Sequence, residues 1–429
     1  LVSDEVSLDN SLTVKKSITM HLKATALILL FTASTLFVKA QNQKFSDKIA
    51  VTAKQMIDVR SGKEIPNAVI LVEKNKITAV GSNLKIPDSV QIIALGDVTL
   101  LPGLIDAHTH LLHQYYTKYG DDNSNRLLEM VQLGPAKRAL LGVKLARGML
   151  EAGFTSVRDL GNSSINADIA LRDAINNGDI IGPRMFVSTR ALAPVGGQFQ
   201  SVTPEAQQLL NQEYVQISGA EEARKAVRQA IYDGADCIKV IVNSGSRRLA
   251  PEGMKVIVEE AKRANLPVAA HATDGDGPAM IAAEAGVSSI EHAYTISENV
   301  LNLMAKKNIF LVPTDVPGVT KYQDRIKRAL KAGVRIAIGS DIYYEFPGKT
   351  RGQVCAGMYK TYVAAGMTNL EVLRAATLNP ADLIGNNSIG VLEVGRFADI
   401  IAVKGNPMTD IAVLEGVVFV MKDGKVYKQ

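Results

Sequence analysis

Six side chains able to bind metal or move protons recur at or near the ends of short apolar runs. They are His108 and His110 in LIDAHTH, Lys239 in DCIKVIVNSG, His271 in PVAAHATD, His292 in SSIEHAYT and Asp341 in RIAIGSDIYY. The chain has six His in all, and four of them belong to this set. His108 and His110 are one residue apart, so on a strand both rings project from one face and can grip one metal ion. His271 and His292 end two consecutive apolar runs, as one strand–helix step allows; each alone also suits a core or rim histidine. Asp341 follows a Gly-Ser pair, which reads either as a helix N-cap or as a carboxylate at the mouth of a site. Lys239 sits mid-strand in CIKVIV, where an ammonium is costly unless it is paired with a carboxylate or chemically changed. Reaction with carbon dioxide would make it an anionic carbamate able to bridge two cations.

The elements that must position these groups alternate strand and helix. Strand-like runs fall at 103–110, 154–160, 184–190, 236–242, 267–271, 288–292, 308–314 and 335–341, which makes eight. Between them, GAEEARKAVRQAIYDGA, GMKVIVEEAKRAN and GPAMIAAEAG carry apolar residues at three-to-four spacing and end near Gly or Asn. After the eighth run come two more helical stretches, TRGQVCAGMYKTYVAAG and LEVLRAATLNPADLIG. Such alternation predicts a (β/α)8 TIM-like barrel, whose chemistry sits on loops at the carboxyl ends of the strands. Residues 48–101 and the far C-terminus read instead as short antiparallel strands, with Asp423-Gly424 a hairpin signal. A small β-sandwich domain built from both ends of the mature chain is therefore expected.

With 429 residues, 47% of them hydrophobic and 21% charged, the chain can bury a large core. The net charge is +5, and no dense Lys/Arg run with interleaved aromatics argues for nucleic acid. Cys237 and Cys355 do not make a disulfide framework; Cys237, two residues before Lys239, should be a small buried apolar group. From Met20 the sequence reads MHLKATALILLFTASTLFVKAQ, an apolar run ending in the cleavable Val38-Lys39-Ala40. That predicts a secretory signal peptide over 20–40, a mature chain from Gln41 with no stable membrane anchor, and a periplasmic or secreted protein. Residues 1–19 read as an over-extended N-terminus. The expected organisation is then β-domain over 41–101, metal-binding barrel over 102–390, and β-domain again over 391–429.

The chain resembles the amidohydrolase superfamily, in the branch with imidazolonepropionase-like proteins and the metal-dependent Xaa-Pro and Xaa-Arg dipeptidases. The resemblance is carried by PGLIDAHTH, VRDLGN, ADCIKVIVNSG, HATDGDGPAMIAAEAGVSSIEHAYT, GVRIAIGSD and GRFADIIAV, and covers about residues 50–429. It implies a secreted hydrolase cleaving an amide bond of a small substrate such as a dipeptide or N-acyl amino acid. It also implies two divalent metal ions, zinc above all. His108, His110 and Asp341 would hold one ion and His271 and His292 the other. Carbamylated Lys239 and a hydroxide would bridge them, with Asp341 moving the proton. Relatives often assemble, so a homo-oligomer is an expectation of the same kind.

Two loops depart from the family pattern. The turn after Lys239 reads Ser244-Gly245-Ser246 followed by Arg247 and Arg248, and Gln198 stands where many relatives carry histidine. Arg247 or Arg248 could clamp a substrate carboxylate or form a solvated pair. Tyr294, Tyr343 and Tyr344 are placed to line a pocket or to pack; His113 and Arg158 read as structural. Two other readings compete: a mononuclear cyclic amidohydrolase or deaminase, and a catalytically dead periplasmic binding protein. Metal content of two, one or none separates the three.

Overall fold

Every residue of Leu104–Thr109 is buried, the pattern of a parallel strand covered on both faces. This strand, β1, opens a parallel series. It continues as β2 (Phe154–Asp159), β3 (Arg184–Val187), β4 (Ile238–Ile241), β5 (Val268–Ala272), β6 (Ser289–His292) and β7 (Phe310–Val312). The computed structural model describes residues 48–429 apart from 318 and 319. The signal-peptide and N-terminal expectations fall outside those residues.

Hydrogen bonds pass from strand to strand around a ring. β1 pairs with β2 and β2 with β3 in parallel. The Val187 carbonyl, ending β3, accepts from Asp236 (2.8 Å) and Cys237 (3.3 Å) at the entry to β4. The sequence β4, β5, β6, β7 follows in parallel register. The eighth position is taken by 335–341, which makes only an isolated bridge, Ile336 to Leu311, where a regular strand was expected. It closes the ring nonetheless: Ala337 N donates to Leu311 O (3.0 Å), Ala107 N to Ile338 O (3.0 Å), and Asp341 N to His108 O (2.8 Å).

The irregularity has two local causes. Gly339 lies so close to β1 that a Cβ there would sit 2.5 Å from that of His108, and Asp341 leaves the extended region with φ 51. Asp106 Oδ1 then ties the two strand ends together, accepting from His108 N (3.0 Å) and Ser340 N (2.9 Å).

The helices Ala220–Asp233, Pro251–Arg263 and Asp276–Ala285 arise where their periodicity places them. Val227, Ile257 and Ala282 on their inner faces share one buried cluster with Val240, Ala270 and Ile290 of the strands. Burying each of the larger side chains contributes about 1.5–3 kcal/mol. The two helical stretches after the eighth position each divide, into Arg351–Ala356 with Tyr359–Ala364 and Asn369–Ala375 with Leu378–Ile384. Gly357, a poor helix former, separates the first pair. Thr377 separates the second, its hydroxyl donating to Leu373 O four residues back (2.6 Å).

Strands from both ends of the described chain share one sheet. Its order is Lys425–Lys428, Val417–Lys422, Ile400–Val403, Thr99–Pro102, Lys48–Asp58, Lys63–Glu73, Lys76–Ser82, with Gln91–Ala94 beside Lys48–Asp58. Antiparallel pairing was expected throughout, yet Lys48–Asp58 runs parallel to Gln91–Ala94 and Thr99–Pro102. The chain reaches both by crossing back after Lys76–Ser82, so their direction repeats that of the first strand. Asp423 and Gly424 both take positive φ (50° and 73°), as a two-residue hairpin turn requires. The fold is a (β/α)8 TIM-like barrel with a small β-sandwich domain built from both ends.

Candidate active site

The carboxyl ends of the barrel strands surround a cavity of about 220 Å³. His108, His110, Lys239, His271, His292 and Asp341 all line it. His108 is fully buried and Lys239 is 3% exposed. Two strand ends reach the cavity through left-handed backbone, His292 (φ 67) and Asp341 (φ 51). Conformations of this kind cost about 1–3 kcal/mol each and collect at functional sites.

Hydrogen bonds fix how three of the imidazoles face. His110 Nδ1 meets the Gly161 carbonyl at 2.9 Å; a carbonyl only accepts, so Nδ1 carries a proton and Nε2 is the nitrogen turned towards the cluster. His108 Nδ1 meets Glu291 Oε2 at 2.7 Å, which turns its Nε2 inward, 3.2 Å from Lys239 Nζ. Thr314 donates its hydroxyl to Pro313 O (2.7 Å), so it accepts from His292 Nδ1 at 2.8 Å. His110 Nε2 lies 2.9 Å from Asp341 Oδ1, and His108 Nε2 is 3.6 Å from the same oxygen. Ligand atoms of His108, His110 and Asp341 all lie within 4.8 Å of one another. The His271 and His292 rings are 4.6 Å apart on the adjoining wall.

Burial, reinforced by the Lys239 charge, pushes His108 well below the usual histidine range and His271 down to about 3. Burial and the two neighbouring imidazoles do the same to His292. These rings are neutral at neutral pH, the form that ligates metals. Desolvation lowers Lys239 to about 8, against the opposing pull of Glu291 and Asp341. Burial would raise Asp341, but His108, His110 and Lys239 outweigh it and hold the carboxyl far below the usual range.

Behind His108 lies a buried ion pair. Glu291 Oε1 accepts from Arg158 Nη2 at 2.9 Å and from the Ser289 hydroxyl, and both charged side chains are fully buried. Arg158 also donates to Ala107 O (2.6 Å), so one guanidinium braces β1, β2 and β6. Glu291→Ala would strand that guanidinium and release the His108 ring. The expected cost is about 3–5 kcal/mol, together with weaker binding of any cation that the His108 ring ligates. Urea denaturation and metal titration of the variant check both, and unchanged stability would refute the bracing role.

Of the groups predicted to meet substrate, Gln198, Tyr294 and Tyr343 line the cavity. Gln198 Oε1 accepts from the Tyr214 hydroxyl at 2.9 Å, and Tyr294 stacks on Tyr322 with ring centroids 4.5 Å apart. Arg247 and Arg248 are not on this wall; they line a separate surface depression. Arg247 is spent bracing the neighbouring loop, donating to Val195 O (3.0 Å), Phe199 O (2.7 Å) and the Ser244 hydroxyl (3.2 Å). Tyr344 points outward and donates to Asp122 (2.9 Å). His113, read as structural, does reach the cavity, with its ring 5.4 Å from that of Tyr343. Sequence reasoning also missed Tyr115, Arg126, Asn162, Tyr214 and Thr273 on the same wall. They come from loops, a helix and the short strand Tyr214–Gln216, and the type of each residue alone did not mark it as lining the cavity.

A barrel that gathers imidazoles, a carboxylate and a buried lysine at and near its strand ends has its polar groups where barrel enzymes carry their chemistry. The family profile described as Amidohydrolase family matches residues 99–427. Ochratoxinase from Aspergillus niger is 32% identical over 438 aligned positions, covering 89% of this chain and 87% of that protein. Imidazolonepropionase from Fusobacterium nucleatum subsp. nucleatum is 27% identical, covering 78% of this chain and 84% of its own. A solved structure of a Xaa-Pro dipeptidase with bound methionine in the active site superposes with TM-score 0.77 at 29% identity. That match covers 89% of this chain and all of the other. The chain belongs to the amidohydrolase family and is a hydrolase of carbon–nitrogen bonds.

Proposed function

We propose that this protein is a metal-dependent hydrolase cleaving the amide bond of a small substrate. The observation that carries the reading is the convergence of His108, His110 and Asp341, whose ligand atoms all lie within 4.8 Å of one another. His110 donates from Nδ1 to Gly161 O, and its Nε2 lies 2.9 Å from Asp341 Oδ1. His108 Nε2 lies 3.6 Å from the same oxygen. Such a donor set suits a divalent cation, and tetrahedral nitrogen–oxygen sites favour zinc. His108, His110 and Asp341 would hold one ion; His271 and His292 would hold a second, with Lys239 as its carbamate between them.

Bound there, divalent ions lower the pKa of water and polarise a carbonyl. The rest of the chemistry belongs to the chain. Hydrolysis puts hydroxyl on the carbonyl carbon and a proton on the departing nitrogen. Asp341 accepts the proton from the attacking water and passes it to that nitrogen. The cavity, smaller than the roughly 300–1,000 Å³ of drug-sized ligand pockets, admits small amides and excludes folded polypeptide.

A mononuclear site is the second reading, favoured by the tight grouping, among the described residues, of just His108, His110 and Asp341 within 4.8 Å. Metal analysis of the purified protein, with chelation and an amide screen, tests both. Two ions and chelator-sensitive turnover support the binuclear reading. One ion supports the alternative, and turnover indifferent to chelation removes both. The apolar run after Lys23 with Val38-Lys39-Ala40 supports export as well. N-terminal analysis of fractionated cells should find a chain starting near Gln41 outside the cytoplasm, and full-length cytosolic protein would refute this.

A further inference from the structure

The cavity wall holds a cation that the hydrolytic cluster does not use. Arg126 lies on a helix spanning Asp122–Gln132, started by Asp121, whose side chain accepts from Ser124 N. Its guanidinium lines the cavity with Tyr115, Gln198 and Tyr214. Nε donates to the Tyr115 hydroxyl and Nη1 to the Gln198 carbonyl, both at 2.9 Å. The Phe199 ring centre is 5.6 Å from the guanidinium carbon. These contacts hold the group in one place, and the two acceptors are neutral.

Its neighbours among the arginines differ in one respect. Arg158 pairs with Glu291, Arg138 with Glu213 and Arg325 with Asp315, each a buried ion pair. Arg126 has no such carboxylate among the described residues. The acid one turn along its helix, Glu129, is engaged by His113 and by Gln114 N (3.0 Å). Arg126 Nη2 makes no hydrogen bond within the described protein, although its sister nitrogens are fixed. A guanidinium held by neutral groups, facing a cavity with one N–H edge spare, is a binding site for an anion.

We propose that Arg126 is the specificity-determining residue of this site, selecting amides that carry a free carboxylate beside the scissile bond. This rests on the amide-hydrolase reading above and narrows it to the N-acyl amino acid or dipeptide class. The carboxylate takes the open Nη2 edge while the amide carbonyl reaches the cluster around Asp341. The role suggested by sequence for Arg247 and Arg248 passes to a residue whose own sequence context gives no hint of it.

Two assays separate this proposal from the reading beneath it. The first compares turnover of N-acetylphenylalanine with that of its carboxamide, in wild type and in Arg126→Gln and Arg126→Lys. The second measures calorimetric binding of N-benzylglycine and N-benzylglycinamide, which contain no amide bond the cluster could cleave at the benzyl nitrogen. Wild type should prefer acid over carboxamide by about ten- to hundredfold in both assays, the worth of a charge-assisted contact. Arg126→Gln should bring the ratio near one, and Arg126→Lys should leave it intermediate. A structural role would lower both members of each pair together and keep the ratio. Equal wild-type affinity for the acid and carboxamide probes overturns the proposal, whichever variants fold. Acid-selective binding with no turnover of any amide upholds the subsite and refutes the amide-hydrolase reading instead.

Discussion

Lys239→Ala should lose most of the bound metal and on the order of a thousandfold in turnover, about 4 kcal/mol at 1.36 kcal/mol per decade. The fold should survive. Lys239 is central in β4, and its Nζ lies 3.2 Å from His108 Nε2, so a bare ammonium there would repel any cation held by the imidazoles. As a carbamate, the form proposed above, the same side chain would supply an anion that offsets the charge of the cations. Removing it leaves a small void lined by neutral rings, which costs stability less than it costs metal. A short carboxylic acid should restore part of both metal and turnover in the variant by occupying the vacated bridge. Metal analysis and a high-resolution map at residue 239 check this. Full metal content with normal turnover in Lys239→Ala, or a free amine beside two ions, would sink the binuclear mechanism.

Asp341→Asn should be comparably severe for a different reason. The amide keeps the size of the carboxylate but cannot accept the proton that must travel from water to the leaving nitrogen. General acid–base groups contribute about 10²–10⁴-fold, and kcat should fall by that much with KM little changed. On the proposed metal-dependent reading, the lost negative charge would also weaken the hold of His108, His110 and residue 341 on an ion. Saturating metal should therefore recover occupancy without recovering kcat. If added metal restores full turnover, Asp341 is a ligand only and the proton moves by another path.

The barrel and the metal-type cluster were legible because both are written in local periodicity. Apolar runs of four to eight residues mark covered strands; His271 and His292 announce themselves by breaking such runs at the carboxyl end, and Lys239 by interrupting one within it. Position 335–341 was less legible, since its departure from a regular strand comes from Gly339 meeting His108, a contact between residues more than two hundred positions apart. Arg126 was not legible at all. Asp122–Gln132 is an ordinary amphipathic helix by sequence, and only its docking against the Gln198 loop turns its single arginine inward. Arg247 misled for the opposite reason: nearness in sequence to Lys239 does not bring a side chain into the cavity when loop carbonyls capture it first.

The pairing of Thr99–Pro102 with Ile400–Val403, Leu101 opposite Ile401, bears on the order of events in folding. The strand that leads directly into β1 has one edge with no partner until nearly the whole chain has been made. Contacts of such sequence separation form slowly because a long loop must close first. The strand that feeds the barrel entrance at β1 therefore gains its second neighbour only from the last part of the chain. The final strands thus act as a completion check: a chain cut short before Ile400 keeps most of its barrel sequence, yet leaves open the sheet edge from which its first two ligand-type histidines are hung.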